Sequence, residues 1–267
     1  MRAAGLEAAE REGDWILEAA TGLDRTRYAA ETQEIEASVQ VRAFELAARR
    51  AGGEPLQYVT GVAGFRRLEL AVGPGVFIPR PETEGVAGRV IEKLPENGIA
   101  VEIGTGSGAI ALAIADERPA ARVIGTDISD DALEWARLNR DVLGLDVELI
   151  RCDLFEALPN DLRGSVDVVV ANPPYISEHE RNALPKEVVD HEPGVALFAS
   201  RDGLEIFERI AVGARGWLRP GGSFLSEIGD RQGTTVTRLL EFLGYSNVVI
   251  RPDLVGRPRI AEGVWRA

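Results

Sequence analysis

Apolar residues in the first part of the chain recur at the spacing of an α-helix. The residues that form this stripe are Ile35, Val39, Ala43, Leu46 and Ala47. Positions three and four apart lie on one face of a helix, so the stripe predicts a helix that packs against a neighbour. The stripe stops before Gly52 and Gly53, which are typical helix-ending residues. The pattern predicts a small helical domain over residues 1–53.

Glycine and proline divide residues 54–84 into short pieces. The residues that do so are Gly61, Gly64, Gly73, Pro74, Gly75, Pro79 and Pro81. An apolar piece such as 65–72, set between such residues, predicts a hairpin or short strands that join two domains. Residues 77–83 cannot form a regular helix, because each proline fixes φ and pushes the residue before it to extended geometry.

From about Gly98 onward, short apolar runs alternate with segments of helical periodicity. We predict strands at residues 99–103, 122–126, 147–151, 166–171 and 223–228, and a closing strand pair from Asn247 onward. We predict helices at residues 109–115, 130–143, 203–217 and 231–243. This alternation predicts an α/β domain over residues 85–267, with a mainly parallel sheet and helices on both faces. Ligands of such sheets bind outside the carboxyl ends of the strands.

The composition is that of a soluble globular protein, with 45% hydrophobic and 27% charged residues. The net charge of −13 argues against broad electrostatic binding to DNA or RNA, which needs a basic face. The single cysteine, Cys152, excludes an internal disulfide and favours a reducing cytoplasm. Two histidines, His179 and His191, give poor support to a zinc site. We expect no signal peptide and no membrane helix, because no apolar run approaches about 20 residues.

A glycine-rich loop follows the first strand of the alternating region. It consists of Gly104, Thr105, Gly106, Ser107 and Gly108. Glycines let the backbone turn tightly and approach a ligand, and the helix that follows offers free N–H groups to electron-rich ligand atoms. Sites for NAD, FAD and S-adenosylmethionine all use such a loop, and a plain structural turn can have the same composition. The loop alone therefore does not choose among them.

Acidic residues at the ends of three consecutive strands narrow the choice. Asp127 ends the second strand, where a carboxylate can accept hydrogen bonds from both hydroxyls of a ribose. Asp153 ends the third strand and is followed by Leu154. In S-adenosylmethionine enzymes this position lies beside the adenine, with an apolar neighbour against the ring. Glu102 precedes the glycine loop, where such enzymes often carry an acidic residue near the methionine end.

The fourth strand ends in the tetrapeptide Asn172-Pro173-Pro174-Tyr175. Asn-Pro alone often makes a rigid turn, but the two prolines also remove two backbone donors. The side-chain oxygen of Asn172 and the carbonyl of Pro173 then become acceptors for one planar NH₂ group, on which the Tyr175 ring can stack. An amide nitrogen is a weak nucleophile, and two acceptors orient it and favour build-up of charge on it. We predict that Asn172, Pro173 and Tyr175 are catalytic, and that no metal is needed.

Six further segments have distinctive sequences. They are residues 54–61 (EPLQYVTG), 77–84 (FIPRPETE), 191–193 (HEP), 202–204 (DGL), 227–232 (EIGDRQ) and 253–259 (DLVGRPR). They resemble signatures of the PrmC/HemK family of release-factor glutamine methyltransferases. Asn-Pro-Pro-Tyr is also found in DNA methyltransferases that modify adenine N6 or cytosine N4, and these six segments favour PrmC/HemK instead. The resemblance covers nearly the whole chain.

The resemblance implies a class I S-adenosylmethionine-dependent methyltransferase. Its Rossmann-like, mainly parallel sheet would carry an antiparallel closing strand, and a helical N-terminal domain would dock the substrate. The substrate would be the glutamine in the Gly-Gly-Gln motif of class 1 peptide chain release factors. The residues expected to bind S-adenosylmethionine, and its product S-adenosylhomocysteine, are Glu102, Gly104, Thr105, Gly106, Ser107, Gly108, Asp127, Asp153, Leu154 and Asn172. The residues expected to hold the glutamine are Asn172, Pro173, Pro174, Tyr175, Phe77, Pro79 and Arg80.

The chain departs from the family pattern at a few places. Its N-terminal region looks shorter, Glu102 stands where aspartate is more usual, Leu154 falls where some members have tryptophan, and Gly194 falls where arginine is frequent. Three alternatives remain: a glutamine methyltransferase of another protein such as a ribosomal protein, a nucleic-acid adenine-N6 methyltransferase, and a non-catalytic S-adenosylmethionine-binding module. We expect a cytoplasmic protein that binds neither nucleic acid nor membrane directly.

Overall fold

The computed structural model of the protein describes residue 1, residues 8–23, residue 27 and residues 36–266. Ile35, the first residue of the predicted N-terminal stripe, lies outside the described residues. The described strands are β1 (Val62–Phe65), β2 (Leu68–Ala71), β3 (Ile99–Ile103), β4 (Arg122–Asp127), β5 (Glu148–Arg151), β6 (Val166–Ala171), β7 (Ile176–Ser177), β8 (Phe198–Ala199), β9 (Leu218–Glu227), β10 (Tyr245–Pro252) and β11 (Pro258–Trp265).

The described α-helices are numbered here in chain order. They are α1 (Ala9–Thr21), α2 (Ala37–Ala51), α3 (Leu56–Thr60), α4 (Thr83–Lys93), α5 (Ala109–Glu117), α6 (Asp130–Leu143), α7 (Lys186–His191), α8 (Gly194–Leu197), α9 (Glu205–Ala214) and α10 (Gly233–Phe242). Short 3₁₀ turns lie at Asn160–Leu162, Glu178–Ala183 and Arg201–Gly203.

Seven strands form the central sheet, in the order β10-β11-β9-β6-β3-β4-β5. The pairs β3–β4, β4–β5, β3–β6 and β6–β9 are parallel, whereas β11 is antiparallel to both of its neighbours. This arrangement confirms the predicted α/β fold with a mainly parallel sheet and a closing antiparallel strand. The strand order reverses between β3 and β6, and the crevice at such a switch point is where ligands of open α/β sheets bind.

Both faces of the sheet are buried, which explains the continuous apolar runs of its central strands. In β6, Val169 packs into the core beneath α9 and α10, whereas Val168 and Val170 pack into the core beneath α4 and α5. The alternation follows from the period of two along a strand. Phe207 and Phe224 meet edge to face, with ring centroids 5.7 Å apart, and fix α9 on its side of the sheet.

Most of the predicted elements are confirmed to within two residues, and two differ for local reasons. The predicted helix at 203–217 begins only at Glu205, because Asp202 and Gly203 have positive φ values of 58° and 78°. The predicted strand at 223–228 begins earlier, at Leu218. Its pairing with β6 shifts register between Leu218 and Ser223, so Pro-Gly-Gly, typical of a turn, forms a bulge within the strand.

The N-terminal helices are joined to the rest of the molecule by a buried arginine. The stripe residues Val39, Ala43, Leu46 and Ala47 are half-buried, and α2 packs against α1. Arg50 is 7% exposed and donates two hydrogen bonds to Glu12 of α1, at 2.9 and 3.1 Å. It also donates to Glu187 of α7 at 2.6 Å. One guanidinium therefore connects both N-terminal helices to the segment that follows the Asn-Pro-Pro-Tyr tetrapeptide.

The predicted hairpin is present as β1 and β2, joined by Arg66 and Arg67. Residues 77–82 that follow are extended or turn-like, as their prolines require, and α4 begins at Thr83. Arg66 donates to Glu117 at the end of α5 at 2.6 Å, which holds the hairpin on the helical layer of the central sheet. This route carries residues 77–83 along the crevice at the carboxyl ends of the strands.

Candidate active site

A cavity of about 230 Å³ lies at the carboxyl ends of β3, β4 and β6. Most of the residues that the sequence marked for cofactor or substrate line this one cavity. They are Phe77, Pro79, Glu102, Gly104, Thr105, Gly106, Ser107, Asp127, Asp153, Leu154, Asn172, Pro173 and Pro174. The glycine loop and the Asn-Pro-Pro segment therefore face a shared space, as the topology of the sheet predicts.

The glycine loop turns back on the sheet immediately after β3. The N–H groups of Gly104 and Thr105 both donate to the carbonyl of Thr126, at 2.8 and 2.9 Å. Gly106 has a φ of 57°, and a Cβ built there would meet no atom within 4 Å. Gly108, also expected to bind the cofactor, is not among the residues that line the cavity, and it is the N-cap residue of α5.

Asp127 braces the loop from the neighbouring strand. One carboxylate oxygen accepts from the N–H of Gly106 and the other from the N–H of Ser129, each at 2.9 Å. Burial raises the pKa of Asp127, and these backbone donors partly offset that rise. A carboxylate has about four lone-pair sites. Asp127 therefore keeps acceptor capacity toward the cavity.

Glu102 lies beneath the same loop and is 2% exposed. Its Oε2 accepts from the Thr105 hydroxyl at 2.6 Å and from the Ala111 N–H at 2.9 Å. Burial raises the pKa of Glu102 to about 8, despite these two donors. Both donors come from the loop and from α5, so this side chain ties the loop to the start of the helix.

The third predicted carboxylate, Asp153, is paired with an arginine. The Arg209 guanidinium of α9 donates to Asp153 at 2.8 Å, and both residues line the cavity. Leu154 follows with a φ of 53°, and its carbonyl accepts from Thr126 Oγ1 at 3.0 Å. The left-handed backbone and this hydrogen bond hold the Leu154 side chain on the cavity wall. The sequence did not identify Arg209 as part of this site.

Asn172 faces the cavity at the end of β6. Its Nδ2 donates to the Thr83 hydroxyl at 3.2 Å. Pro173 and Pro174 line the cavity beside it, but Tyr175 does not. The Tyr175 hydroxyl instead donates to Glu227 at 3.3 Å and accepts from Arg259 at 3.4 Å. Burial raises the pKa of the Tyr175 phenol, so it remains a neutral donor.

In the segment before α4, some side chains line the cavity and another forms an ion pair. Phe77 and Pro79 line the cavity. Arg80, expected to contact the substrate, lies outside the lining. It pairs with Glu192, and its guanidinium carbon lies 4.8 Å from the centroid of the Phe77 ring. Glu192 also accepts from the Ile78 N–H at 3.2 Å, and burial raises its pKa. This pair holds the segment against the loop that follows the tetrapeptide.

Several apolar residues of the cavity were not singled out from the sequence. They are Ile128, Val195, Ala196 and Ile206. Ile128 is 52% exposed although it is large and apolar, and it directly follows Asp127. Its position after the acidic end of a strand was the available signal. Val195, 63% exposed, follows the His-Glu-Pro segment, where no periodic pattern marked it.

Among the residues that the structure describes, no group of three or more His, Cys, Asp or Glu side chains could hold a metal ion. Within the same residues, no helix combines the length and apolarity required to span a membrane.

Comparison with known protein families identifies both parts of the chain. Residues 1–61 match the family model described as PrmC N-terminal domain, and residues 69–193 match the methyltransferase small domain. Two solved structures have a similar fold at 20% sequence identity. A methyltransferase from Pyrococcus furiosus has a TM-score of 0.56 over 75% of this chain and 90% of its own. The 16S rRNA N2 G1207 methyltransferase of T. thermophilus, solved with AdoMet and guanosine, also scores 0.56, over 77% of this chain and 50% of its own. These similarities show a methyltransferase fold.

Relatives of much higher identity share a single name. The release factor glutamine methyltransferase of Streptomyces coelicolor is 45% identical over 85% of this chain and 81% of its own length. The protein of that name from Mycolicibacterium smegmatis is 42% identical over 97% of this chain and 92% of its own. The one from Neisseria gonorrhoeae is 41% identical over 87% and 85%. The resemblance to the PrmC/HemK family is confirmed, and the chain belongs to the family of release factor glutamine methyltransferases.

Proposed function

We propose that this protein transfers the methyl group of S-adenosylmethionine to the side-chain amide nitrogen, N5, of a glutamine in the Gly-Gly-Gln motif of class 1 peptide chain release factors. The observation that carries the proposal is the position of Asn172 and the hydrogen bond that its side chain makes. It lines the cavity that begins at the glycine loop, and its Nδ2 is already committed to Thr83. Its side-chain oxygen is therefore the atom available to an amide donor. Relatives that match most of the chain carry the name release factor glutamine methyltransferase, which supports the proposal.

The residues around the glycine loop fit S-adenosylmethionine. Asp127 keeps acceptor capacity for two ribose hydroxyls after taking its two backbone N–H groups. Ile128 and Leu154 supply apolar surface for an adenine ring, and Gly106 leaves open space where a side chain would project. Glu102 holds the loop in place through Thr105 and α5. When bound, S-adenosylmethionine supplies a methyl group activated by its sulfonium.

Asn172 and Pro173 would hold the acceptor amide. Their two carbonyl oxygens would accept the two hydrogens of the glutamine NH₂ group and so fix its plane. As positive charge develops on nitrogen, these acceptors become more favourable, which is where fixed dipoles lower a barrier most effectively. The proton would remain hydrogen-bonded to one of these oxygens and leave to water after transfer. Phe77 and Pro79 would exclude water from the cavity during this step.

The proposed partner is a protein rather than a nucleic acid. A net charge of −13 does not favour a phosphate backbone, and the N-terminal match extends over residues 1–61. We propose the cytoplasm as the location, which a chain with one cysteine fits. The competing acceptors are a glutamine of another protein, such as a ribosomal protein, and an adenine N6.

The test is methylation of a purified class 1 release factor by the purified protein with S-adenosylmethionine, mapped by peptide mass spectrometry. We expect one methyl group on the glutamine of the Gly-Gly-Gln motif, and none with the Asn172→Ala variant. A release factor in which that glutamine is replaced by alanine is the substrate control. If calorimetry shows that the cofactor binds but the glutamine stays unmodified, the proposed substrate is wrong. Ribosomal proteins and adenine-containing DNA would then be tested in the same assay.

A further inference from the structure

Two buried side chains are linked to Asn172 by hydrogen bonds, and one of them, Thr83, also lines the cavity. Thr83, the first residue of α4, is 4% exposed, and Glu227, the last residue of β9, is 2% exposed. Asn172 Nδ2 donates to Thr83 Oγ1 at 3.2 Å, and Thr83 Oγ1 donates to Glu227 Oε2 at 2.6 Å. The three residues come from three elements that are distant along the chain, and they form one continuous relay.

The direction of this relay determines which atom of Asn172 faces the cavity. A hydroxyl has one hydrogen, and an ionised carboxylate can only accept. Burial raises the pKa of Glu227, and the Thr83 hydroxyl, the charge of Arg259 and the Tyr175 hydroxyl oppose that rise. The direction of the relay is the one that the ionised form imposes. The Thr83 hydrogen is therefore used on Glu227, and Thr83 can offer only a lone pair to its other neighbour. The side-chain NH₂ group of Asn172 must point at Thr83, and the oxygen must point away from it. Without this constraint, the Asn172 side-chain amide could flip. Its own NH₂ group, a donor, would then face the NH₂ group of a substrate.

The same carboxylate holds the tyrosine of the tetrapeptide. Glu227 Oε1 accepts from the Tyr175 hydroxyl at 3.3 Å, while Oε2 accepts from Thr83. Arg259 closes the far side, because its guanidinium donates to the Tyr175 hydroxyl at 3.4 Å and to the Ile228 carbonyl at 3.1 Å. One buried carboxylate thus fixes both ends of the Asn-Pro-Pro-Tyr segment.

We propose that Thr83 and Glu227 are positioning residues, which act through Asn172 and Tyr175 to present acceptor atoms to the substrate amide. The inference rests on the proposed function for its kinetic consequence, but the hydrogen-bond relay itself does not. In this proposal both residues act through Asn172 and Tyr175 rather than by contact with the reacting atoms. Their loss should therefore reduce turnover without reducing affinity for S-adenosylmethionine.

The first test compares two substitutions at one position. Thr83→Val keeps the branched shape and removes the hydroxyl, whereas Thr83→Ser keeps the hydroxyl. We expect Thr83→Val to lower kcat about 10-fold, the cost of about 1.4 kcal/mol in the barrier, and Thr83→Ser to stay within about twofold of wild type. The dissociation constant of S-adenosylmethionine, measured by calorimetry, should be unchanged in both. Thr237→Val is the matched control, because its hydroxyl also makes one hydrogen bond, to Gly233, within α10.

The second test needs no turnover. The side-chain NH₂ resonances of Asn172 are assigned in a ¹⁵N–¹H spectrum by their absence from the Asn172→Ala variant. We expect Thr83→Val to shift them and to speed their exchange with water, and Thr83→Ser to leave them near the wild-type positions. Glu227→Gln should give an intermediate shift, since a glutamine can present either its oxygen or its NH₂ group to Thr83.

The outcomes separate the two proposals. If wild-type protein does not methylate the release factor but the Asn172 resonances respond as expected, the substrate assignment fails and the relay stands. If Thr83→Val keeps the wild-type kcat on a substrate that the wild-type protein methylates, the positioning role is wrong. Equal losses of kcat in Thr83→Val and Thr83→Ser would also overturn it, because a packing defect would then explain both. Unchanged Asn172 resonances in Thr83→Val would overturn the relay itself.

Discussion

The cavity has two ends, each built around a glutamate that is 2% exposed. At the loop end, Glu102 accepts from residues three and nine positions further along the chain. At the amide end, Glu227 accepts from Thr83 and Tyr175, which lie 144 and 52 positions away. The loop end is therefore assembled by local chain geometry, and the amide end by the packing of α4, β6 and β9 against one another.

The difference shows what each end can tolerate. At the loop end the cavity wall is mainly backbone and glycine, whose positions depend on φ and ψ more than on side-chain identity. At the amide end the ligand-facing atom is one side-chain oxygen whose orientation depends on a relay of buried hydrogen bonds. A buried network is costly when only partly satisfied, so a single lost member affects the others. We expect substitutions at the loop end to change cofactor affinity and those at the amide end to change turnover.

Asn172→Ala should have the largest effect. Removing the oxygen that would accept from the glutamine NH₂ group should lower kcat by about 100-fold or more, as for other preorganised electrostatic groups. The melting temperature should change little, because Asn172 lies on the cavity wall. Turnover is measured by mass spectrometry of the glutamine peptide, with thermal melting of the same sample. Near-normal turnover of this variant would show that Asn172 is not part of the mechanism. It would also contradict the expectation that the amide end determines turnover and the loop end determines cofactor affinity.

Asp127→Ala tests the loop end in the same assays. The variant loses the acceptor for the ribose and also leaves the N–H groups of Gly106 and Ser129 without their partner. We expect the dissociation constant for S-adenosylmethionine to rise by at least about 10-fold, or about 1.4 kcal/mol, with a smaller change in kcat at saturating cofactor. Calorimetry gives the first quantity and saturation kinetics the second. An unchanged dissociation constant would count against the ribose contact.

Replacing one glycine by alanine at each end of the cavity gives a matched pair of variants, Gly203→Ala at the amide end and Gly106→Ala at the loop end. A Cβ at Gly203 would lie 2.0 Å from the carbonyl oxygen of Tyr175, so Gly203→Ala must displace the tetrapeptide. A Cβ at Gly106 would meet nothing within 4 Å, so Gly106→Ala adds only the strain of positive φ, about 1–2 kcal/mol. We expect Gly203→Ala to lower kcat by about 10-fold, the equivalent of about 1.4 kcal/mol, and to lower the melting temperature further than Gly106→Ala. Equal effects on kcat would show that close packing around Tyr175 does not matter for turnover.

Glu102→Gln should have the smallest effect, and it depends on pH. Burial raises the pKa of Glu102 to about 8, above the value of about 4.3 in an unfolded chain. The folded chain binds this proton more tightly, so the stabilisation is fully present below the unfolded pKa and is lost as pH rises through the folded pKa. Glutamine cannot titrate. We expect the melting temperature of wild type to fall relative to the variant as pH rises from about 5.

Thermal melting of both proteins across this range of pH is the measurement. The difference between them should level off once pH exceeds the folded pKa of about 8. A difference that does not vary with pH would show that Glu102 is ionised throughout, and that the loop is braced by a charged group. The result would not alter the amide end, whose glutamate is held by different partners.

Local patterns in the sequence were sufficient for the order of the elements and for the loop end. The strand at 166–171 and the helix at 130–143 were predicted with the bounds that the structure has, since their periodicity is strong and their ends carry clear signals. The bulge within β9 was not predicted, because Pro-Gly-Gly has the composition of a turn and only the pairing of Leu218 and Ser223 with β6 keeps it within the strand. Likewise, nothing local indicated that Arg209 would meet Asp153.

The sequence by itself determined the family, the α/β topology, the glycine loop and the tetrapeptide, because each depends on residues that are adjacent or regularly spaced. Only the tertiary structure decided that Arg80 pairs with Glu192 rather than lining the cavity, and that Thr83 and Glu227 stand behind Asn172. Such contacts join residues far apart in the chain. Their partners are chosen by how the helices and strands pack, since a buried polar group takes whichever complementary group the fold brings within hydrogen-bond distance.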